Sequence, residues 1–182
     1  MLTRPRTVRG LLNTPPMTSH SSARHLLTST SGIATPYDPW ADLRQNWPHV
    51  KVVIERMTGN LLGEVRDDGQ LIALRADTSA AQRRCTLTHE LVHLERGILD
   101  CGPWLQREES LVHAEASLRL IPLTSLAAAI RALGGADDSA ALAQWLEVDG
   151  ETLAVRLDRM TSAERRMLRR SLARQAPLWS VA

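Results

Sequence analysis

Five consecutive residues, His89-Glu90-Leu91-Val92-His93, set two imidazoles and a carboxylate at a spacing suited to metal chemistry. On an α-helix, residues four apart sit about 40° apart around the axis and roughly 6 Å along it. Both imidazoles can then bind one zinc ion, while Glu90 leaves the same turn toward a water at that ion. A catalytic zinc also needs a third protein ligand and one open position. Residues 107–120, a second helical stretch, supply Glu108, Glu109, His113 and Glu115 as candidates. Glu109 and His113 lie four apart and so share a face. Arg107-Glu108-Glu109 also reads as a solvated helix start, whose acids the macrodipole favours, and Glu108 fits that role best.

Cys85, His89 and His93 form a further row of potential ligands. Along a continuous helix Cys85 lies ~12 Å from His93, too far for one ion with bonds of ~2 Å. Cys85 is therefore expected as a buried small thiol, and Cys101, in Asp100-Cys101-Gly102-Pro103, as part of a loop. Two cysteines make no disulfide framework, which fits a reducing cytoplasm. His20 and His25 read as solvated residues of an N-terminal tail.

The elements that must hold these groups are visible as periodicity. Leu87, Leu91, Leu94 and Ile98 follow the i, i+4, i+7, i+11 rhythm of a buried helix face, leaving the histidines on another stripe. On the second helix, Leu111, Ala114, Leu118 and Ile121 are the expected packing face. Strands are predicted at 50–54, 61–65 and 71–74, the last two joined by a hairpin turn at Asp67-Asp68-Gly69. Strand 71–74 feeds the H-E-x-x-H helix, as in zinc peptidases, and is expected beside the cleft, holding an extended substrate by edge pairing. A short helix at 38–45 carries Trp40 and Leu43, and Trp40, Trp47 and Trp104 read as packing residues. Together these predict an α+β core with a small three-stranded sheet, antiparallel or mixed.

The C-terminal third is helical. Pro122 breaks the chain, Thr124 is the expected cap of a helix running to Leu133, and Gly134-Gly135 ends it. Two short helices, 140–146 and 151–157, flank Val148-Asp149-Gly150 and resemble a helix-turn-helix unit, with Arg156 and Leu157 in its second helix. Thr161 and Glu164 form a capping box opening a basic helix through Arg174, with Arg165, Arg166, Arg169 and Arg170 on one broad face. Glu147, Asp149, Glu151 and Asp158 crowd the recognition position and would repel phosphate. Scaffolding or recognition of a protein partner is the first expectation for this region, and direct DNA binding the second.

Composition sets outer bounds. A chain of 182 residues, 43% hydrophobic, can bury one core with a small appendage. No apolar run approaches the ~20 residues of a transmembrane helix, so no membrane is expected. Lys51 is the only lysine among 22 basic residues, a coding-bias signature that weakens arginine number as a sign of nucleic-acid binding. Residues 1–36 hold Arg4, Arg6, Arg9 and Arg24 and no acid, which leaves the remainder net acidic at −2. Rich in Ser, Thr and Pro, this segment reads as a disordered tail. Its composition also suits a transit peptide, or a start codon assigned upstream of the folded part.

The run Arg83-Arg84-Cys85-Thr86-Leu87-Thr88-His89-Glu90-Leu91-Val92-His93 resembles the R-x-T-L-x-H-E-L-x-H core of the ImmA/IrrE metallo-endopeptidases. A second block, Arg107-Glu108-Glu109 to Leu120-Ile121-Pro122, resembles that family's E…A…L-L-M-P helix, whose metal-binding glutamate lies 13 residues before the proline. The likeness covers about Tyr37 to Leu172. It implies a zincin-like core, zinc held by His89, His93 and Glu109, and Glu90 as general base. His113 departs from the family's Asn or Asp at that position; it is expected to orient the zinc histidines or support the oxyanion, with direct ligation and a bystander role as the other readings. Tyr37, the only tyrosine, is a distant candidate for the oxyanion donor. The resulting organisation is a tail at 1–36, a zinc peptidase core at 37–135 and a helix-turn-helix-like region at 136–175. The resemblance implies cleavage of a specific transcriptional repressor of a phage or mobile element. The alternative is a zinc-containing regulatory protein that binds DNA or a repressor without cutting.

Overall fold

The computed structural model describes residues 36–97 and 105–173, all within one contact unit, Ile33–Ala182. The expected tail, His20, His25, Ile98, the Cys101 loop, Trp104 and Arg174 lie outside the described residues. Among the described residues the architecture is α+β, with seven helices and a three-stranded mixed sheet.

The chain opens with α1 (Pro39–Asn46), capped by the Asp38 side chain on the Trp40 amide with proline in the first turn. β1 (Lys51–Glu55), β2 (Gly63–Arg66) and β3 (Leu71–Arg75) follow. Their order is β1-β3-β2: β1 runs parallel to β3, and β2 antiparallel to it. A short 3-10 turn at Asp67–Gly69 joins β2 to β3. Asp67, Asp68 and Gly69 all have positive φ there, which Asp tolerates and Gly accepts without strain. Ile72, Ala73 and Leu74 of β3 are fully buried, as a central strand requires. This corrects one expectation. Strand 71–74 has both edges occupied, so it cannot pair with a substrate; β1 and β2 are the edge strands.

α2 (Ala80–Arg96) crosses the sheet. Ser79 and Gln82 form a reciprocal capping box at its start, and Gly97, left-handed at φ 66°, ends it. Leu87 and Leu91 are fully buried against Ile72, Leu74, Leu43 and Val50, with Trp40 and Trp47 packed on the rim. Each such leucine contributes about 1.5–3 kcal/mol of burial.

α3 (Leu105–Leu120) packs on α2 through Val112 and Ala116 against Val92. The expected face was wrong: Leu111 and Leu118 are 40% and 44% exposed. The helix is rotated so that Glu109, Val112, Ala116 and Leu120 look inward, and only Ile121 of the expected set is buried. α4 (Leu123–Ala132) starts from Pro122 as N-cap with no side-chain cap, and Thr124 lies inside its first turn rather than capping it. The extended Pro122 backbone suffices, its carbonyl accepting the Leu126 amide.

α5 (Ser139–Trp145) and α6 (Gly150–Asp158) are capped by Asp138 and Asp149. α7 (Ser162–Ala173) opens on the expected Thr161–Glu164 box, both bonds present. Leu142, Leu146 and Leu153 share a core with Ile121, Leu126 and Cys85 of α2, so one apolar interior runs from the metal-motif helix into the C-terminal helices. Arg156, 1% exposed, lies in that interior: Nε donates to the Ile121 carbonyl at 2.9 Å and Nη2 to Glu164 at 2.7 Å. No helix among the described residues is long and apolar enough to cross a membrane.

Candidate metal centre

Two helices meet where α2 presents His89 and His93 and α3 presents Glu109. The two Nε2 atoms are 3.0 Å apart. Glu109 Oε2 is 3.2 Å from Nε2 of His89, and Oε1 is 3.2 Å from Nε2 of His93. A tetrahedron of ~2.0 Å bonds has edges of about 3.3 Å, so these donors already stand on the coordination shell of one small cation. They are the one group of three His, Cys, Asp or Glu donors among the described residues with that convergence. Burial, with His113 and His93 adding to it, pushes the His89 imidazole down to about 3. His89 is thereby neutral at ordinary pH, the state a metal ligand requires.

The other candidate ligands are elsewhere. Glu108 is paired with Arg96 at the end of α2, and its side chain is largely covered rather than solvated. Glu115 pairs with Arg119, which also binds Glu95 bidentately. Cys85 is buried, as its distance along the helix predicted; its sulfur accepts the Asp149 amide at 3.4 Å, and burial pushes the thiol up to about 11.

Glu90 lies on the sheet side of α2, 6% exposed and with no hydrogen-bond partner among the described residues. Burial pushes its carboxyl up to about 8, with the Glu109 and Glu64 carboxylates adding to the shift. Gly63 makes this position possible. A Cβ there would collide with Thr86 Cγ2 and stand 3.2 Å from Glu90 Oε1 and from the Ala73 carbonyl. The His113 ring packs on that of His89, centroids 4.5 Å apart and planes tilted by 56°, outside the three-donor group.

A cavity of about 230 Å³ opens at this cluster, lined by Asn60 to Gly63, by Cys85, Thr86, His89 and Glu90, by His113 and Ala116, and by Asp149, Glu151 and Thr152. A second cavity, about 480 Å³, lies between α3 and α6 and shares His113. Tyr37 lines neither, and its hydroxyl donates to Asp42. Sequence reasoning missed the wall made by residues 60–63 and by the start of α6. A glycine at the mouth of an apolar strand, the mark of close backbone approach, was the available signal for the first. It also missed Arg84, whose guanidinium donates to the carbonyls of Tyr37, Leu146 and Glu147 at 2.9–3.2 Å and ties α2 to both flanks. No protein-family model matches the chain, and no curated protein matches it significantly.

Proposed function

We propose that this chain is a zinc-dependent endopeptidase of the ImmA/IrrE type, with a zincin-like core, that cleaves a specific helix-turn-helix transcriptional repressor. The carrying observation is the convergence of His89, His93 and Glu109 beside the buried, unpartnered carboxyl of Glu90. Two imidazoles and a carboxylate make a borderline donor set that suits zinc and leaves room for a fourth partner. When bound there, zinc supplies Lewis-acid polarisation of a carbonyl and brings the pKa of water to about 7.

The chain's own residues do the rest. Glu90, not a ligand, takes the proton of the attacking water and returns it to the leaving amide nitrogen. A dication beside it favours its charged form, reversing the upward push of burial. His113, whose tilted ring packs on that of His89 and which lines both cavities, holds the ring of His89 and donates to the developing oxyanion. β2 presents the edge for an extended peptide, next to residues 60–63 of the cavity wall. α6 is packed on α3 and contributes to both cavities, and its Arg156 is buried; this supports cleft framing over groove insertion into DNA.

The repressor as substrate rests on the sequence resemblance. Co-expression with the helix-turn-helix regulator encoded nearest the gene tests it, comparing wild type with Glu90→Gln. A discrete regulator fragment with wild type alone is expected. An intact regulator that co-purifies with both proteins would favour the non-cutting regulatory reading.

A further inference from the structure

The smaller cavity, about 230 Å³, falls below the roughly 300–1,000 Å³ that hold whole small-molecule ligands and suits one side chain. Leu61, Leu62 and Ala116 line an apolar part of it, and Asp149 and Glu151 bring two carboxylates. No lysine or arginine lines it. Asp149 Oδ1 accepts the Thr152 amide at 2.8 Å as the cap of α6, which leaves Oδ2 without a partner among the described residues. Glu151 is exposed and forms no ion pair among the described residues. The same cavity holds the unpartnered Glu90 carboxyl, 6% exposed. The start of α6 carries only about half a positive charge, less than the two carboxylates standing on it.

An apolar stem ending in carboxylates complements an aliphatic chain ending in a cation. An apolar side chain would fill the volume but cover Asp149 and Glu151 without a counter-charge, which is costly. We propose that this cavity is the specificity pocket of the peptidase and takes an arginine or lysine side chain beside the scissile bond, held by Asp149 and Glu151. The assignment rests on the peptidase reading above.

The test gives zinc-loaded full-length protein a library of N-acetylated peptides and reads the cut sites by mass spectrometry. Arg or Lys is expected at one fixed position beside the cut. Its preference over norleucine should fall about tenfold or more in the Asp149→Asn/Glu151→Gln double variant, in which Asn still caps α6. Cleavage without a basic preference, or with one unchanged in the double variant, overturns the pocket and leaves the peptidase reading standing. Cleavage of unacetylated peptides alone, at their first bond, assigns the carboxylates to a free N-terminus and also overturns it. A binding arm needs no turnover: N-acetyl-arginine amide is titrated calorimetrically into Glu90→Gln protein. Saturable binding, weakened about tenfold by adding the two pocket substitutions, upholds the pocket even if no peptide is cut, in which case the peptidase reading alone fails. Equal binding of the norleucine amide overturns the pocket.

Discussion

His89 and Glu90 are neighbours whose buried ring and carboxyl are both pushed toward their neutral forms, to about 3 and about 8 from ordinary values of 6.5 and 4.5. Their effects on the metal-free protein oppose each other. Between pH 6.5 and 3 the unfolded chain takes up a proton at His89 that the folded chain refuses, so stability drops as pH falls through that window. For Glu90 the folded chain keeps a proton that the unfolded chain has lost, so its contribution is complete below pH 4.5 and disappears as pH rises through about 8. The two slopes cancel between about 4.5 and 6.5, giving a plateau with an alkaline decline above it. Glu90→Gln should remove that decline, which thermal melts of chelator-treated protein from about pH 5 to about pH 9 would show. An equal alkaline decline in wild type and variant would contradict the assignment. At this scale the H-E-x-x-H pair was legible because four-residue spacing fixes helical neighbours, whereas Glu109, on a separate helix, was singled out by the resemblance and its count back from Pro122. The acids at 149 and 151 were not, because their partners in the cavity are remote in sequence.

At the scale of elements, β2 must pass close over α2, and Gly63 is the point of contact. Gly63→Ala should push β2 away from Thr86 and Glu90 at a cost of about 1–3 kcal/mol. Urea melts measure that cost, and peptide hydrolysis should fall more steeply than zinc content. A variant as stable as wild type would show that the strand does not need the missing Cβ. The existence of all three strands and the hairpin between β2 and β3 could be read from apolar runs and the Asp-Asp-Gly turn. The order could not: alternation does not say which strand lies in the middle. Likewise α3 has two apolar stripes, Leu111–Leu118 and Val112–Ala116. Periodicity cannot choose between them, whereas the need to bring Glu109 to the histidines on α2 does. Thr124 misled because the rigid Pro122 took the cap position itself.

Across the whole molecule, one apolar interior joins the metal-motif helix to the C-terminal helices, and Arg156 sits within it. An arginine in a helix-turn-helix pattern reads as a surface residue, since arginine is rarely buried without a partner; here Glu164 is that partner. Glu164→Gln keeps the capping box but leaves Arg156 buried without its counter-ion. The expected loss is about 2 kcal/mol, below the ~3–5 for fully buried pairs because the Glu164 side chain is 24% exposed. Chemical denaturation would check it, and Thr161→Ala, which removes the cap but not the ion pair, should cost only about 1 kcal/mol. Equal losses would mean that the capping box, not the buried charge, is what Glu164 supports. Because α6 walls the cleft, loosening this packing should also reduce hydrolysis.

The most direct test measures zinc content and peptide-bond hydrolysis on the same purified samples of wild type and Glu90→Gln. About one equivalent of zinc is expected in both, and hydrolysis in wild type alone. Loss of zinc from the variant would make Glu90 a ligand rather than the base. Undiminished hydrolysis by the variant would contradict the proposed mechanism outright.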